Sequence, residues 1–289
     1  MTVQGAVFIE EVVDTDRYPL LAPTGAAFAA AVAHARAELR RGGCGVLPGF
    51  LRPSYHDVLQ QQCAALADLA YYDVETVNVY NSAPDPSLPV DHPVNTTTER
   101  GNAFVARDQI PVESIIARLY RSPAVQHFIA CCAGLPRVHE LADPYAGLCL
   151  NVVRPAEMHP WHFDTNELAV SMVTQEPRAG GVFEFCPAIR SAADENFGDV
   201  AAVLAGGGEH LVHRLVPRAG DLQLFRGRYS LHRVDTVRGD VARHSAIFAY
   251  STRPGVISTA ARTRQLFGRL HPAHLAGTDR PVRVDQLLD

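Results

Sequence analysis

The stretch MHPWHFDTNELAVSM, residues 158–172, holds two histidines, the only tryptophan of the chain and an aspartate, and runs directly into an apolar, strand-like segment. On a β-strand, residues i and i+2 face the same side, so His162 and Asp164 can point in one direction. Core packing has little use for an imidazole beside a carboxylate, because polar groups are costly to bury without a partner. The stretch therefore predicts two ligands of a metal ion on one short strand.

The chain around this stretch is rich in short segments with strand character, which recur after about residue 140 and are separated by Gly, Pro and Asp. They lie at 147–153, 161–164, 167–175, 182–186, 210–216, 221–226, 230–237 and 244–252. Eight short strands at this spacing favour a closed or two-sheet structure such as a jelly roll. Gly180-Gly181 and Gly220-Asp221 lie where hairpin turns are expected.

The first half of the chain has a different texture, with helical periodicity and helix stop signals. Helices are predicted over 24–43, 54–70 and 112–134, the last interrupted near Pro123, and a long Pro- and Asp-rich loop over 81–101. A short helix is expected at 258–270. These elements predict an α+β fold in one domain, residues 1–289: a mainly helical part (1–139) packed on a β core (140–255), and a C-terminal tail (256–289).

Two further segments place polar groups where the interior of such a barrel would lie. His232 falls within the strand-like SLHRVDTV, and Arg243 and Ser245 again have the i, i+2 spacing. Two histidines and a carboxylate on one face of a metal form the facial triad of non-heme Fe(II) oxygenases, which leaves positions for a keto acid and O₂. Arg243 offers a bidentate guanidinium and Ser245 a hydroxyl for the far carboxylate of a keto-acid cosubstrate.

The combined pattern of H-x-D, a distal His, and R-x-S beginning eleven residues beyond that His resembles the iron(II)/2-oxoglutarate-dependent oxygenases. The resemblance implies a double-stranded β-helix, a variant of the jelly roll. It also implies Fe(II) and 2-oxoglutarate as cofactors, with His162, Asp164 and His232 as metal ligands and Arg243 and Ser245 on the cosubstrate. In that family the H-x-D lies near the second core strand, the distal His on the seventh and the Arg on the eighth.

The longer segments HPWHFDTNELAVSMVTQEPRAGGVFEFCPAIR (159–190) and AGDLQLFRGRYSLHRV (219–234) are similar to the branch that contains free-amino-acid hydroxylases and radical halogenases. This similarity implies a free amino acid or derivative as substrate, with His159 and an arginine before FVARDQIP, here Arg100, as substrate contacts. Thr165 is a further candidate for the substrate and Asn151 for the cosubstrate. The halogenases of the branch replace the ligand carboxylate with a small residue. Retention of Asp164 therefore favours hydroxylation, or another carbon-centred oxidation, over chlorination.

Composition narrows the possible partners and chemistry. All 26 basic residues are arginine, so a Schiff-base or P-loop lysine is excluded. A net charge of −5 makes nucleic acid an unfavourable partner, and no apolar run reaches the roughly 18 residues of a membrane span. The N-terminus does not read as a signal peptide, and the six cysteines are expected to be reduced thiols, so a cytoplasmic location is expected. The oligomeric state is left open.

Other readings of the same residues stay open at this point. Taken alone, His232 could be a core histidine, and Arg243 could pair with an acidic residue on the surface. A His₂-carboxylate site also suits Zn²⁺ in a hydrolase or lyase on a cupin-like barrel, although such an enzyme would not require Arg243 with Ser245. A barrel that binds ligands without catalysis is the third alternative.

Overall fold

The computed structural model describes residues 3–276 and 285–288. Within these residues the α-helices are α1 (Val3–Val12), α2 (Ala26–Gly42), α3 (His56–Ala64), α4 (Ile115–Arg121), α5 (Pro123–Ala133), α6 (Phe197–Leu204), α7 (Ala260–Phe267) and α8 (Pro272–Ala276). The strands are β1 (Cys44–Leu47), β2 (Tyr71–Val77), β3 (Thr98–Val105), β4 (His139–Glu140), β5 (Leu148–Val153), β6 (His159–His162), β7 (Ala169–Gln175), β8 (Ala179–Gly180), β9 (Phe183–Cys186), β10 (His213–Leu215), β11 (Leu222–Phe225), β12 (Leu231–Val234), β13 (Val237–Arg238) and β14 (Arg243–Ser251).

Two antiparallel sheets form the centre of the molecule. The large sheet has the order β1-β11-β7-β14-β5-β3-β2, and the small sheet has the order β10-β9-β12-β6. Eight of these strands form the core, in chain order β5, β6, β7, β9, β10, β11, β12 and β14, and they are divided equally between the two sheets. This is the double-stranded β-helix that the sequence pattern and the resemblance predicted, and the predicted α+β class is confirmed.

The glycine pairs expected at hairpin turns lie instead in crossovers between the sheets, so that prediction was wrong. The chain leaves β7 in the large sheet, passes Gly180 (φ 65°) and enters β9 in the small sheet. It likewise passes Gly220 (φ 82°) between β10 and β11. Both glycines adopt a left-handed backbone conformation that other residues rarely adopt. This conformation allows the sharp change of chain direction between the two sheets, as it would in a hairpin turn.

The N-terminal part supplies strands as well as helices. β1 extends the large sheet at β11, and β2 and β3 extend it at β5. The predicted loop over 81–101 therefore ends in a strand, and Arg100 lies within β3 rather than in a loop. α2 buries Phe28, Val32, Ala35 and Leu39, at helical spacing, in the hydrophobic cluster that includes side chains of β7 and β11.

Among the described residues, no helix combines the length and the apolar character needed to cross a bilayer.

A buried carboxylate, Asp143, links the loop before β5 to the segment that follows β14. Asp143 accepts hydrogen bonds from the backbone N–H groups of Tyr145 and Ala146, at 2.7 and 2.8 Å, and of Ser258, at 2.9 Å. Its second oxygen also lies 3.1 Å from Nε2 of His274 in α8. Burial raises the pKa of Asp143, but the three backbone N–H donors and His274 outweigh it and hold that pKa below its usual value.

Replacing Asp143 with alanine should lower the free energy of unfolding by about 3–5 kcal/mol, because three backbone donors and a histidine lose their buried partner. A carboxyl with a lowered pKa contributes stability that is complete above about pH 4 and disappears as the pH falls through its folded value. Denaturant unfolding measures both effects. Asp108→Ala is the matched control, because its ion pair with Arg269 is exposed and should contribute at most about 1 kcal/mol. A loss no larger than that of the control would contradict the structural role of Asp143.

Candidate metal centre

Three side chains, from β12, from β6 and from the residues just after β6, converge on the wall of one cavity. His162 is the last residue of β6, His232 lies on β12, and Asp164 follows two residues after β6. Oδ1 of Asp164 is 3.7 Å from Nε2 of His162 and 3.6 Å from Nε2 of His232. One ligand atom from each residue lies within 4.8 Å of the other two. One carboxylate oxygen and two imidazole nitrogens at these separations suit one divalent ion at their centre.

The two imidazoles are oriented by their own strands. Nδ1 of His162 lies 2.8 Å from the carbonyl oxygen of Pro160, and Nδ1 of His232 lies 3.0 Å from the carbonyl oxygen of Ser230. A carbonyl can only accept, so each Nδ1 carries the proton and each Nε2 presents a lone pair to the centre. Because the burial of His162 lowers its pKa well below the usual value, its ring is neutral, as a metal ligand must be.

Asp164 remains ionised in this position. Burial raises its pKa, but His232 and His162 outweigh that effect and hold the pKa at about 2. The carboxylate is also confined by Gly227, whose carbonyl accepts a hydrogen bond from the Asp164 N–H at 3.1 Å. A Cβ at position 227 would lie 1.9 Å from Oδ2 of Asp164, closer than any real contact. The absence of a side chain at 227 thus makes the space for this ligand.

Gly227→Ala should lower the affinity for Fe(II) by about 10- to 100-fold, because the added methyl group pushes the Asp164 carboxylate out of its position. Anaerobic metal titration of the purified protein measures the effect. Gly198→Ala is the matched control, since a Cβ at that exposed helical position meets no atom within 4 Å. Equal affinities for the two variants would show that Gly227 does not position the carboxylate.

Arg243 and Ser245 lie side by side on β14, next to the triad. Nη1 of Arg243 donates to Oγ of Ser245 at 2.7 Å, and Ser245 faces Asn151 across the β14–β5 pair. Burial lowers the pKa of Arg243 to about 10, so the guanidinium still carries its charge at neutral pH. Among the described residues, no carboxylate lies within 4.0 Å of it. A buried cation of this kind calls for an anion from outside the chain.

The substrate candidates from the sequence fall in different places. The His159 ring stacks on the His162 ring, with centroids 4.1 Å apart and planes 9° apart, and both rings line the same cavity. Burial, followed by the charge of Arg100, lowers the pKa of His159 well below its usual value. Thr165 is exposed at the cavity wall. Arg100 is buried, and it is not among the described residues that line the cavity.

The cavity itself has a volume of about 880 Å³ and contains groups that the sequence pattern did not single out. Beyond the triad, its polar wall includes Glu75, Asn81, Arg262 and Gln265. Glu75 comes from β2, and Arg262 and Gln265 come from α7. No motif marks these residues, because they belong to elements outside the eight core strands. A charged residue on the predicted helix over 258–270 was the only signal available in the sequence.

Three residues of the segment 285–288 also line the cavity: Asp285, Leu287 and Leu288. Nε of the buried Arg228 donates to Oδ2 of Asp285 at 2.7 Å, and Nη1 of Arg190 donates to the carbonyl oxygen of Leu288 at 3.1 Å. The segment 285–288 is thus held against the site by two buried arginines.

Comparisons with known proteins agree with this geometry. A family model described as Halogenase D matches residues 28–265. No curated protein sequence matches the chain. The non-heme alpha ketoglutarate dependent carbocyclase SnoK from nogalamycin biosynthesis has a TM-score of 0.51 and 15% identity, over 80% of this chain and 89% of that one. AviO1 from Streptomyces viridochromogenes Tue57 has a TM-score of 0.51 and 16% identity, over 76% of this chain and 94% of that one. The epimerase SnoN of nogalamycin biosynthesis has a TM-score of 0.51 and 18% identity, over 77% and 83%. At these identities the likeness concerns the fold.

Proposed function

Because the chain belongs to the Halogenase D family and has the fold of alpha ketoglutarate dependent non-heme enzymes, we propose that it is an Fe(II)- and 2-oxoglutarate-dependent oxygenase. Its reaction is the hydroxylation of an unactivated C–H bond in a small polar substrate, a free amino acid or a derivative. The observation that supports this best is the joint position of the His162–Asp164–His232 cluster and the buried Arg243–Ser245 pair on the wall of one cavity.

The donor set fits the two cofactors. Two imidazoles and one carboxylate suit Fe(II) and leave positions for other ligands, and Arg243 with Ser245 suits the far carboxylate of 2-oxoglutarate. When bound, Fe(II) and 2-oxoglutarate supply the activation of O₂, in which 2-oxoglutarate yields succinate and CO₂ and one oxygen atom enters the substrate C–H bond. A zinc hydrolase with the same three ligands would not require the guanidinium of Arg243 and the hydroxyl of Ser245.

The chain's own residues hold the metal ligands in place, orient the cosubstrate and exclude water. The carbonyl groups of Pro160 and Ser230 fix both imidazoles, so the ligand geometry exists before any cofactor arrives. Arg243 and Ser245 fix the direction from which a dicarboxylic acid reaches the metal. His159, stacked on His162, presents an uncharged ring to the substrate side of the cavity. The wall formed by 285–288 limits the access of water to the same space.

Hydroxylation is proposed over halogenation because Asp164 is present. A halide needs a position on the metal, and in the halogenases that the sequence resembles a small residue replaces the carboxylate. Here the carboxylate is present, and the absence of a side chain at Gly227 leaves the space that it occupies. SnoN is an epimerase and SnoK a carbocyclase, so the fold also supports reactions that do not end in a hydroxyl group.

Coupled turnover tests this proposal. The purified protein is incubated with Fe(II), 2-oxoglutarate, O₂ and a panel of amino acids, and succinate release and product mass are measured. We expect succinate to form with at least one substrate, together with a product that has gained one oxygen atom. Turnover that persists with Zn²⁺ in place of Fe(II) and without O₂ would contradict the proposal and favour a hydrolytic reaction.

A further inference from the structure

A buried ion pair holds the segment 285–288 on the wall of the cavity. Nε of Arg228 donates to Oδ2 of Asp285 at 2.7 Å, and Nη2 donates to the other oxygen of the same carboxylate, so the pair is bidentate. The side chain of Arg228 is 1% exposed and that of Asp285 is 14% exposed. A bidentate pair fixes direction as well as distance, and water screens it only weakly at this depth. Arg228 therefore defines where the segment begins.

A second buried arginine binds the backbone of the same segment. Nη1 of Arg190 donates to the carbonyl oxygen of Leu288 at 3.1 Å and to Oε2 of Glu195 at 2.9 Å. Oε1 of Glu195 accepts in turn from the backbone N–H of Leu288. Both backbone polar groups of Leu288 are thus bonded to one ion pair, whose arginine side chain is fully buried. The segment has one anchor at each end.

Arg190 also contacts the residues that carry two of the metal ligands. Its Cζ lies 3.8 Å from the centroid of the Phe163 ring, a cation–π contact, and Phe163 is the residue between His162 and Asp164. Nε of Arg190 donates to the carbonyl oxygen of Arg228 at 2.6 Å, so the two anchors are bonded to each other. One guanidinium therefore connects the anchored segment with the loop that follows β6.

The turn between β11 and β12 connects the other anchor with the ligands. Arg228 directly follows Gly227, whose carbonyl accepts from the N–H of Asp164 at 3.1 Å and whose missing side chain leaves the space for that carboxylate. At the end of the same turn, the carbonyl oxygen of Ser230 lies 3.0 Å from Nδ1 of His232 and orients its ring. The backbone that binds the anchored segment on one side thus supports two metal ligands on the other.

We infer that the segment 285–288 positions the metal ligands, and that Arg190 and Arg228 are the positioning residues that connect it to them. When the segment is docked, the turn before β12 and the Phe163 ring are fixed, and the ligand atoms keep the spacing that one ion requires. The identity of the metal as Fe(II) rests on the proposed function, and the dependence of its affinity on this segment goes beyond it. Coupling between two binding events is reciprocal, so bound Fe(II) in turn stabilises the docked segment.

Anaerobic titration of the full-length protein with Fe(II) tests this dependence. Asp285→Asn keeps the shape of the side chain but removes the charge that Arg228 binds, so the Kd for Fe(II) should rise by about 10- to 100-fold, as for other groups that support metal ligands. Asp16→Asn is the matched control. Asp16 also pairs with an arginine, Arg52, but it is 88% exposed and is not among the described residues that line the cavity. Its Kd should equal that of the unmodified protein.

Glu195→Gln is a second variant, at the other anchor. It removes the charge that Arg190 binds without altering the cavity wall, since Glu195 is not among the described residues that line the cavity. The Kd for Fe(II) should again rise, by about 10-fold or more. In the double variant with Asp285→Asn the two effects should be less than additive, because both changes release the same segment.

Hydrogen exchange gives a readout that does not depend on turnover. The backbone N–H of Leu288, which donates to Glu195, should exchange at least about 10-fold more slowly in the unmodified protein when Fe(II) is bound, because the metal stabilises the docked segment. Amides of α2, which packs against β1 and α5, should exchange at the same rate with and without the metal. A segment that serves only as a wall would show no change at Leu288.

The outcomes separate this coupling from the proposed function. Unchanged Fe(II) affinity in both Asp285→Asn and Glu195→Gln, or an exchange rate at Leu288 that Fe(II) does not alter, would overturn the coupling and leave the oxygenase proposal intact. An equal loss of affinity in Asp16→Asn would also overturn it, since the effect would not be specific to the segment. If the unmodified protein binds no Fe(II), its own titration shows that the proposed function and the coupling both fail.

Discussion

Replacing Asp164 with glycine is expected to abolish hydroxylation and to lower the affinity for Fe(II) by more than about 100-fold, since even residues that only support a ligand contribute 10- to 100-fold. The carboxylate is the only negative charge among the three ligand side chains. Its removal leaves two imidazoles to hold a divalent ion. Product mass after turnover and anaerobic metal titration measure the two effects. Asp240→Ala, which removes an exposed carboxylate paired with Arg178, should leave both unchanged.

The same position bears on the choice between oxygen and halogen transfer. With excess chloride, the unmodified protein should give a hydroxylated product and no chlorinated one, because Asp164 occupies the position that a halide would need. This test is informative because the chain belongs to a family named for halogenation rather than for hydroxylation. Chlorination by the unmodified protein would show that Asp164 is not a metal ligand during turnover.

Arg243→Ala is the second substitution with a large expected effect. Removing one partner of a buried charge pair costs about 2–5 kcal/mol. The Kd for 2-oxoglutarate should therefore increase by a factor between about 30 and several thousand. The apoprotein should be no less stable than the unmodified one. Arg243 is buried with the Ser245 hydroxyl as its close partner, so its removal relieves a desolvated charge rather than breaking an ion pair.

Isothermal titration with 2-oxoglutarate under anaerobic conditions, combined with thermal unfolding, separates these two expectations. Arg238→Ala, an exposed arginine on β13, is the control for the loss of one positive charge nearby. A structural role for Arg243 would give the opposite pattern, with a lower Tm and an unchanged Kd for 2-oxoglutarate.

The sequence predicted the catalytic end of the fold well because period-2 alternation and ligand chemistry act together there. His162 is at the end of the second core strand, His232 is on the seventh and Arg243 is on the eighth, as the resemblance implied. Asp164 lies beyond the end of β6 rather than on it, yet its carboxylate still meets both imidazoles. Strand periodicity therefore predicted the correct pairing of His162 with Asp164, although Asp164 is not on the strand that the prediction assumed.

The polar wall of the cavity beyond the triad could not be predicted in the same way. Arg262, Asn81 and Glu75 come from a helix, a loop and an outer strand, and only tertiary packing brings them together. Local sequence carries no spacing that links them. The outer strands β2 and β3 were missed for a related reason. They lie on either side of the proline-rich loop, and their conformation is determined by tertiary pairing, β2 with β3 and β3 with β5. The division into 1–139, 140–255 and 256–289 stays a prediction.

Three side chains from two distant parts of the sequence converge on one position that suits a metal ion, and anaerobic titration with Fe(II) tests this convergence most directly. Addition of Fe(II) followed by 2-oxoglutarate should give one iron per chain and a metal-to-ligand charge-transfer band, and both should be lost in His232→Ala. If His232→Ala binds iron and develops the band as the unmodified protein does, residue 232 is not a ligand and the account of this site is wrong.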